Sequence, residues 1–440
     1  MARAKLRPAI LMLTCVAIAA VPAAAGPGAT THPGATRPAD PAPLLAAPPA
    51  PPTPSGQAVA TPTKVRTLIL GSANQPSRIA AVARQHPPDV PLAEEGATLR
   101  RSAGARVLRA AATSEPFSAV GVTWRDDPAI GVVSVAVRTR RNLQSGWSAW
   151  STVDAEADEG PARGPAMRGG AELVWTGPSR GVEVVVTSLG GVVPGDVRVD
   201  LIDPGYRPSD NDPARRRAGG TGGSAVAGLA SKANYGNNVV TIRSRADWGA
   251  DERQMKWPPE YAPSVKAVVV HHTATTNSYS WPQVPAILRS IYRFHAVSRG
   301  WGDIGYNVIV DRFGYAWEGR AGGLTKAVIG AHAGGFNTGT SGIAVIGDFR
   351  SSQPPAIAVE GLARVIAYKL GTAGVNPRIY TIHTGGPSTR YKQRVTIRIP
   401  TVYPHKLTSL TACPGRYLES LLSRVRLRAA YLIYRYRIRP

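Results

Sequence analysis

A chain of 440 residues is long enough for about three domains of ordinary size and for a real hydrophobic core, so it is no peptide. With 43% hydrophobic residues beside 46 glycines and 39 prolines it is neither wholly disordered nor collagen-like, and unstructured stretches must be local. The balance of 52 Lys+Arg against 28 Asp+Glu, a formal +24, fits a polyanionic partner such as nucleic acid, anionic lipid headgroups or an acidic wall polymer, and by itself chooses none of them.

Residues 1–25 open with Arg3, Lys5 and Arg7, run apolar from Ala9 to Val21 and end in Ala23-Ala24-Ala25, the pattern of a secretory signal peptide with its cleavage site. The apolar run is shorter than the roughly 20 residues a bilayer demands, so no transmembrane segment is expected once it is cleaved. Thr14 is a poor residue to precede a lipidated Cys15, which argues against a lipoprotein. The only cysteines are Cys15 and Cys413, and the first leaves with the signal peptide. Cys413 then has no intramolecular disulfide partner, and a lone thiol in an exported protein needs something to hold it, for which a metal ion would serve.

Residues 26–64, with the string Ala47-Pro48-Pro49-Ala50-Pro51-Pro52, lack large apolar side chains and read as a stiff extended spacer. From 65 to 205 short alternating runs rich in Val and Trp, at 117–124, 131–138, 147–153, 171–176, 181–188 and 195–202, predict an antiparallel β-sandwich. Its Trp124, Trp147, Trp150 and Trp175 either fill that core or stack on sugar faces. A flexible linker, 206–239, contains Arg215-Arg216-Arg217 and a Gly/Ser/Ala stretch.

Between 240 and 425 the pattern turns mixed α/β. A strand is predicted at 266–272, a helix at 283–295, a hairpin at 306–320, a strand at 342–349 and a helix at 357–370, interleaved as in one sheet flanked by helices. The final segment, 426–440, alternates Tyr431, Tyr434 and Tyr436 with Arg435, Arg437 and Arg439 and reads as a basic tail suited to an anionic surface. The Gly-rich stretch near 302–323 contains no GxGxxG, and no GxxxxGK[ST] occurs, which argues against phosphate cradling.

Three residues carry chemistry: His271 at the end of the first α/β strand, His405, and Cys413 in HKLTSLTACPG (405–415). Two imidazoles and a thiolate are three zinc ligands, and three protein ligands leave the fourth tetrahedral position open, as catalysis requires. His383 in YTIHTGG is the competing second histidine. Strand alternation puts His271 and His272 on opposite faces, so only one of them can reach a given metal.

The segments RSRADWGA (243–250), VVVHHTA (268–274), RGWGDIGYNVIVDRFGYAWEGR (299–320), IGAHAGGFNTGTSGIAVIGDF (329–349) and TACPG (411–415) resemble, in the same order, the N-acetylmuramoyl-L-alanine amidase type 2 family, which shares its fold with peptidoglycan recognition proteins. The resemblance covers about 240–425. It implies a mixed central sheet flanked by helices, behind the β-sandwich, with zinc on His271, His405 and Cys413. It further implies catalytic assistance from Tyr306 and Thr411 as hydroxyl donors to the oxyanion. His332, Arg320 and Asn337 are assigned to substrate. His405 lies in Pro404-His405-Lys406 rather than the family's usual GHxD or GHR string, after an insertion at 384–400, but its spacing to Cys413 is kept.

The implied activity is cleavage of the amide between N-acetylmuramic acid and L-alanine by a secreted, cell-wall-associated enzyme. Its implied partners are peptidoglycan and anionic wall polymers, and no nucleic acid is expected. A non-catalytic peptidoglycan-binding receptor of the same fold is the alternative.

Overall fold

The computed structural model describes residues 59–70, 90–91, most of 105–212 and all of 239–440. The signal-peptide reading, nearly all of the Ala/Pro-rich spacer and the Arg215–Arg217 stretch lie outside the described residues. No described helix is long and apolar enough to cross a membrane.

The first folded part is an antiparallel sheet of β1 (Lys64–Leu70), β2 (Ala105–Arg125), β3 (Val132–Arg140), β4 (Ser151–Asp154), β5 (Arg168–Gly170), β6 (Val174–Leu189) and β7 (Val197–Asp203). The strands run in the order β1-β7-β2-β6-β3-β4, with β5 on β2. Alternating Val and Leu from these strands, including Leu68, Val122, Val135, Val153, Val184 and Val199, form one buried cluster. That cluster contains residues of this domain alone, so the sheet closes over its own apolar face, as a sandwich does. β2 pairs with β6 over Ala105–Thr113 and again from Phe117 to Val120, with register shifts around Phe117, and its Ala119–Thr123 stretch pairs with β7 on the other side.

Two details differ from the sequence expectation. The runs at 171–176 and 181–188 belong to one long strand, β6, which continues through Gly177-Pro178. Trp124 and Trp175 are buried, whereas Trp147 and Trp150 lie toward the surface, with the Arg138 guanidinium over both rings.

The second part is built on a six-stranded sheet of β8 (Ile242–Arg243), β9 (Ala267–His272), β10 (Val308–Val310), β11 (Ala316–Glu318), β12 (Thr340–Val345) and β15 (Val402–Pro404), in the order β15-β9-β12-β10-β11-β8. A ribbon, β13 (Tyr380–Gly385) and β14 (Val395–Pro400), stands apart from it. The helices are α1 (Arg245–Trp248), α2 (Val284–Arg293), α3 (Ala356–Gly371), α4 (Arg416–Ser420) and α5 (Leu422–Tyr436).

The central strands β15, β9, β12 and β10 are parallel and nearly continuously apolar because both faces are covered. Val268, Val270, Val308, Val310, Ile343 and Val345 face α3 and α5, while Ile309, Ala344 and Trp317 face α2. The segment read as a basic tail is largely α5. Its Val425, Ala429 and Leu432 are buried against α3, so the core continues past residue 425.

α2 is also the seam between the two parts, because Ala119, Trp175 and Ile202 of the β-rich domain join Ile287, Leu288 and Ile291 in one cluster. Within that seam Arg289 Nη2 lies 2.7 Å from Asp210 Oδ2, with both side chains buried, and the guanidinium also donates to the carbonyls of Pro204, Gly205 and Trp248. Removing one partner of a buried pair leaves an uncompensated charge, so Asp210→Ala is expected to lower stability by about 3–5 kcal/mol. Urea unfolding checks this, and a midpoint equal to the parent's would mean that the three carbonyls suffice for Arg289.

Candidate metal centre

β9 and β15 are adjacent parallel strands with Val402 opposite Val268 and Pro404 opposite Val270. That register brings His405, the residue after β15, alongside His271 of β9, and their ring centroids are 4.5 Å apart. The chain then turns back. Thr408 and Ser409 donate to the His405 carbonyl, and Lys406 N–H donates to the Cys413 carbonyl at 3.0 Å, which closes the loop and delivers the thiol. Cys413 Sγ lies 3.6 Å from His271 Nδ1, and one donor atom each of His271, His405 and Cys413 falls within 4.8 Å of the others, all three residues buried.

The electrostatics suit a cation. Burial first, then His405, His332 and His272, holds the His271 imidazole well below its ordinary range, and burial followed by His272 pushes His405 down to about 3. Both rings are therefore neutral near pH 7, with lone pairs available. His332 lies behind them, fully buried, with Nδ1 3.1 Å from His271 Nε2. A His271 Nε2–H donating to His332 Nδ1 leaves the Nδ1 lone pair of His271 facing Cys413, the orientation that metal-bound imidazoles take from their outer partners. Two imidazoles and one thiol, dry and close together, fit borderline-soft zinc better than hard calcium or magnesium.

The other candidates are placed as follows. The Tyr306 ring lies 5.2 Å from His271, and the Thr411 hydroxyl oxygen accepts from Cys413 N–H at 3.2 Å. Asn337 Oδ1 accepts from the backbone N–H of His332 and Ala333, while its Nδ2 donates to the Gly160 carbonyl of the β-rich domain at 2.8 Å. Arg320 donates to the carbonyls of Ile304 and Trp301. Tyr306, His332 and Thr411 thus adjoin the three donors, whereas Arg320 and Asn337 hold the backbone behind them. His383 is outside the group; it is buried in β13 and stacked on Phe336 at 5.7 Å. His272 faces the other side of the sheet and accepts from Phe349 N–H. The contact of His332 with His271 was not legible in sequence: the residues are 61 apart, and only the pairing of β9 with β12 brings their segments together.

These imidazoles imply a pH dependence of the metal-free protein. Burial lowers His271, His272, His295, His332 and His405 from an ordinary value near 6.5, His272 to about 4 and His332 to about 3. Above the ordinary value both folded and unfolded chains are unprotonated at these sites. As pH falls below it the unfolded chain takes up protons that the folded one excludes, so stability declines from about pH 6.5 toward about pH 3. Asp311, pushed up to about 7 by burial, and Glu318, also raised by burial, work the other way, but they are two carboxyls against these five rings and His383, which burial lowers as well. The urea midpoint should therefore drop between pH 7.5 and 5.0; an unchanged midpoint would mean that the rings take up protons without unfolding.

The fold and this donor cluster define an α/β protein with a site suited to a transition metal behind a β-rich domain. Residues 261–416 match the family described as N-acetylmuramoyl-L-alanine amidase, and residues 76–217 match the Rv3811 N-terminal galactose-binding domain-like family. Peptidoglycan-recognition protein SC1a of Drosophila melanogaster is 30% identical over 181 residues, 41% of this chain and 82% of the relative. Peptidoglycan-recognition protein LB of the same fly is 34% identical over 149 residues, 33% of this chain and 62% of that relative's length. A solved structure of Drosophila PGRP-LB aligns with 29% identity and a TM-score of 0.33, covering 42% of this chain and 94% of that one. The chain belongs to the amidase type 2 and peptidoglycan recognition protein family.

Proposed function

We propose that the protein is a secreted zinc-dependent hydrolase of peptidoglycan that cleaves the amide between N-acetylmuramic acid and the L-alanine of the stem peptide. The observation that carries this reading is the buried donor set His271, His405 and Cys413, with their donor atoms within 4.8 Å. Zinc held there supplies a Lewis acid that polarises an amide carbonyl and acidifies water at neutral pH. The chain's own groups do the rest. His332 fixes the ring of His271, and the Tyr306 phenol donates to the oxygen on which negative charge develops. Thr411, whose oxygen already accepts from Cys413 N–H, turns its proton toward the same oxygen. Bond identity and substrate come from the family, whose relatives carry peptidoglycan recognition in their names.

Charge supports retention on an anionic wall. Residues 376–400 carry Arg378, Arg390, Lys392, Arg394 and Arg398 without one acidic residue, and Tyr380 and Ile382 are exposed on the ribbon they form. Retention on isolated walls should accordingly weaken as salt rises.

Mass spectrometry of products from purified wall fragments tests the activity. Free stem peptide beginning with L-alanine, formed only with zinc present, is the expected result. Binding of fragments without any cleavage would favour the receptor reading, and cleavage at another bond or undiminished by chelation would overturn the proposed reaction.

A further inference from the structure

We infer that the protein has a second binding site, a cleft along the seam of its two parts that takes the sugar backbone of a glycan strand; the choice of this polymer rests on the peptidoglycan reading above. Two hollows of about 550 and 420 Å3 make up the cleft, and they adjoin, because Trp175 and Thr276 line both. None of His271, His405, Cys413 or Tyr306 lines either one. Ala274 and Arg416 do line the larger hollow, each three residues past a metal donor, His271 and Cys413. A strand seated there runs close to the metal site, and binding of its remote sugars can serve a reaction at one of them.

Both parts of the chain build the cleft. The β-rich part supplies Trp147 to one hollow and Trp150 to the other, from the segment just ahead of β4, with Trp175 common to both. The Arg138 guanidinium stands over the Trp147 and Trp150 rings, 5.3 and 4.6 Å from their centroids, and Arg140 stands over Trp147 at 5.0 Å. These cations hold the indoles in place, and Trp147 still exposes 37% of its surface. The α/β part supplies the loops that follow β9 and β12. Asn277 braces one against the other: its Oδ1 accepts from Asp348 N–H at 2.8 Å and its Nδ2 donates to the Asp348 carbonyl at 2.7 Å. Arg350, paired with Asp348, donates to the Thr152 carbonyl of β4 at 2.8 Å and so ties these loops to the β-rich part. A cleft braced on both sides loses little freedom when a ligand enters.

The lining selects the ligand. A pyranose ring has an apolar C–H face and a rim of hydroxyls, so it suits a flat aromatic surface with neutral hydrogen-bonding groups beside it. Three indoles supply the surface, and Ser148, Ser151, Thr152, Thr276 and Ser278 supply hydroxyls. Asp348 is the one carboxylate among the described lining residues, and Arg350 neutralises it at 2.7 Å. Arg141 and Arg416, both exposed, suit the lactyl carboxylates that a strand without stem peptides carries. A phosphodiester polymer would use the arginines and leave the indoles without a role.

The test measures binding alone, by calorimetry on the zinc-free full chain. The probe is peptide-free glycan strands of alternating N-acetylglucosamine and N-acetylmuramic acid, which carry no stem to cleave. Trp147→Ala and Trp150→Ala should each weaken binding by about tenfold, as loss of a central aromatic anchor does. Tyr434→Ala, which removes an 83% exposed ring outside the cleft, should change it by less than about twofold. Circular dichroism reports folding, and a variant that does not fold is replaced by the leucine substitution, which keeps apolar bulk and drops the stacking plane. Strands that do not bind the parent, or bind it and the folded tryptophan variants equally, would overturn the site. Tighter binding of poly(glycerol phosphate), lost in the same variants, would give the cleft to an anionic polymer and overturn the glycan assignment. Strand binding that depends on Trp147, in a protein that hydrolyses no wall when zinc is restored, would keep the cleft and remove the amidase reading instead.

Discussion

Cys413→Ser should lose zinc and wall hydrolysis together while the fold persists. A serine hydroxyl is a far poorer zinc ligand than a thiolate, and among the described residues Cys413 is one of the three side chains whose donor atoms meet in this site. Loss of an outer partner of a metal ligand costs roughly 10–100-fold in affinity, and loss of a ligand itself should exceed that. Packing is nearly unchanged, because serine fills most of the same buried space beside His271. His405→Ala should behave alike, whereas His383→Ala, which removes a ring stacked on Phe336, should leave metal content intact. Zinc stoichiometry and activity measured on one preparation decide the matter. A serine variant that keeps both would place Cys413 outside the metal's ligands, and metal loss from His383→Ala but not His405→Ala would reverse the choice of histidine.

Tyr306→Phe should slow turnover by roughly 10- to 1000-fold with zinc content and wall binding near the parent's values. The phenol adjoins His271 without being one of the three donors, so its contribution is to the transition state, where a hydrogen bond strengthens as charge appears on the carbonyl oxygen. The phenylalanine ring keeps the packing against His295 and His271. Turnover that did not change would remove Tyr306 from the mechanism, and zinc lost along with activity would give it a structural role.

Much of this protein was legible before folding was considered. The alternation of His271 and His272 along an apolar strand assigned them to opposite faces, because strand geometry has a period of two and needs no partner to be read. The lone Cys413 singled out a candidate thiol ligand, since few side chains bind zinc and an exported thiol is conspicuous, and the family resemblance added His271 and His405 and preferred His405 to His383. Helix α3 and the strands β9 and β12 followed from apolar runs, which a sheet covered on both faces requires.

Tertiary structure decided the rest. Gly177-Pro178 reads as a break, yet β6 runs through it because pairing with β2 and β3 overrides local turn preference. Residues 426–440 read as a basic tail because Tyr and Arg alternate from Tyr431 onward, but burial of Leu422, Val425, Ala429 and Leu432 fixes 422–436 as a helix on α3. Arg320 and Asn337 sit in motif segments and so read as substrate contacts. Their hydrogen-bond partners, the carbonyls of Ile304, Trp301 and Gly160 among them, are chosen by chain packing, which no spacing encodes. The same holds for the seam between the two parts: Arg168 and Arg299 are 131 residues apart, and a contact of that separation exists only once two independently patterned domains have met.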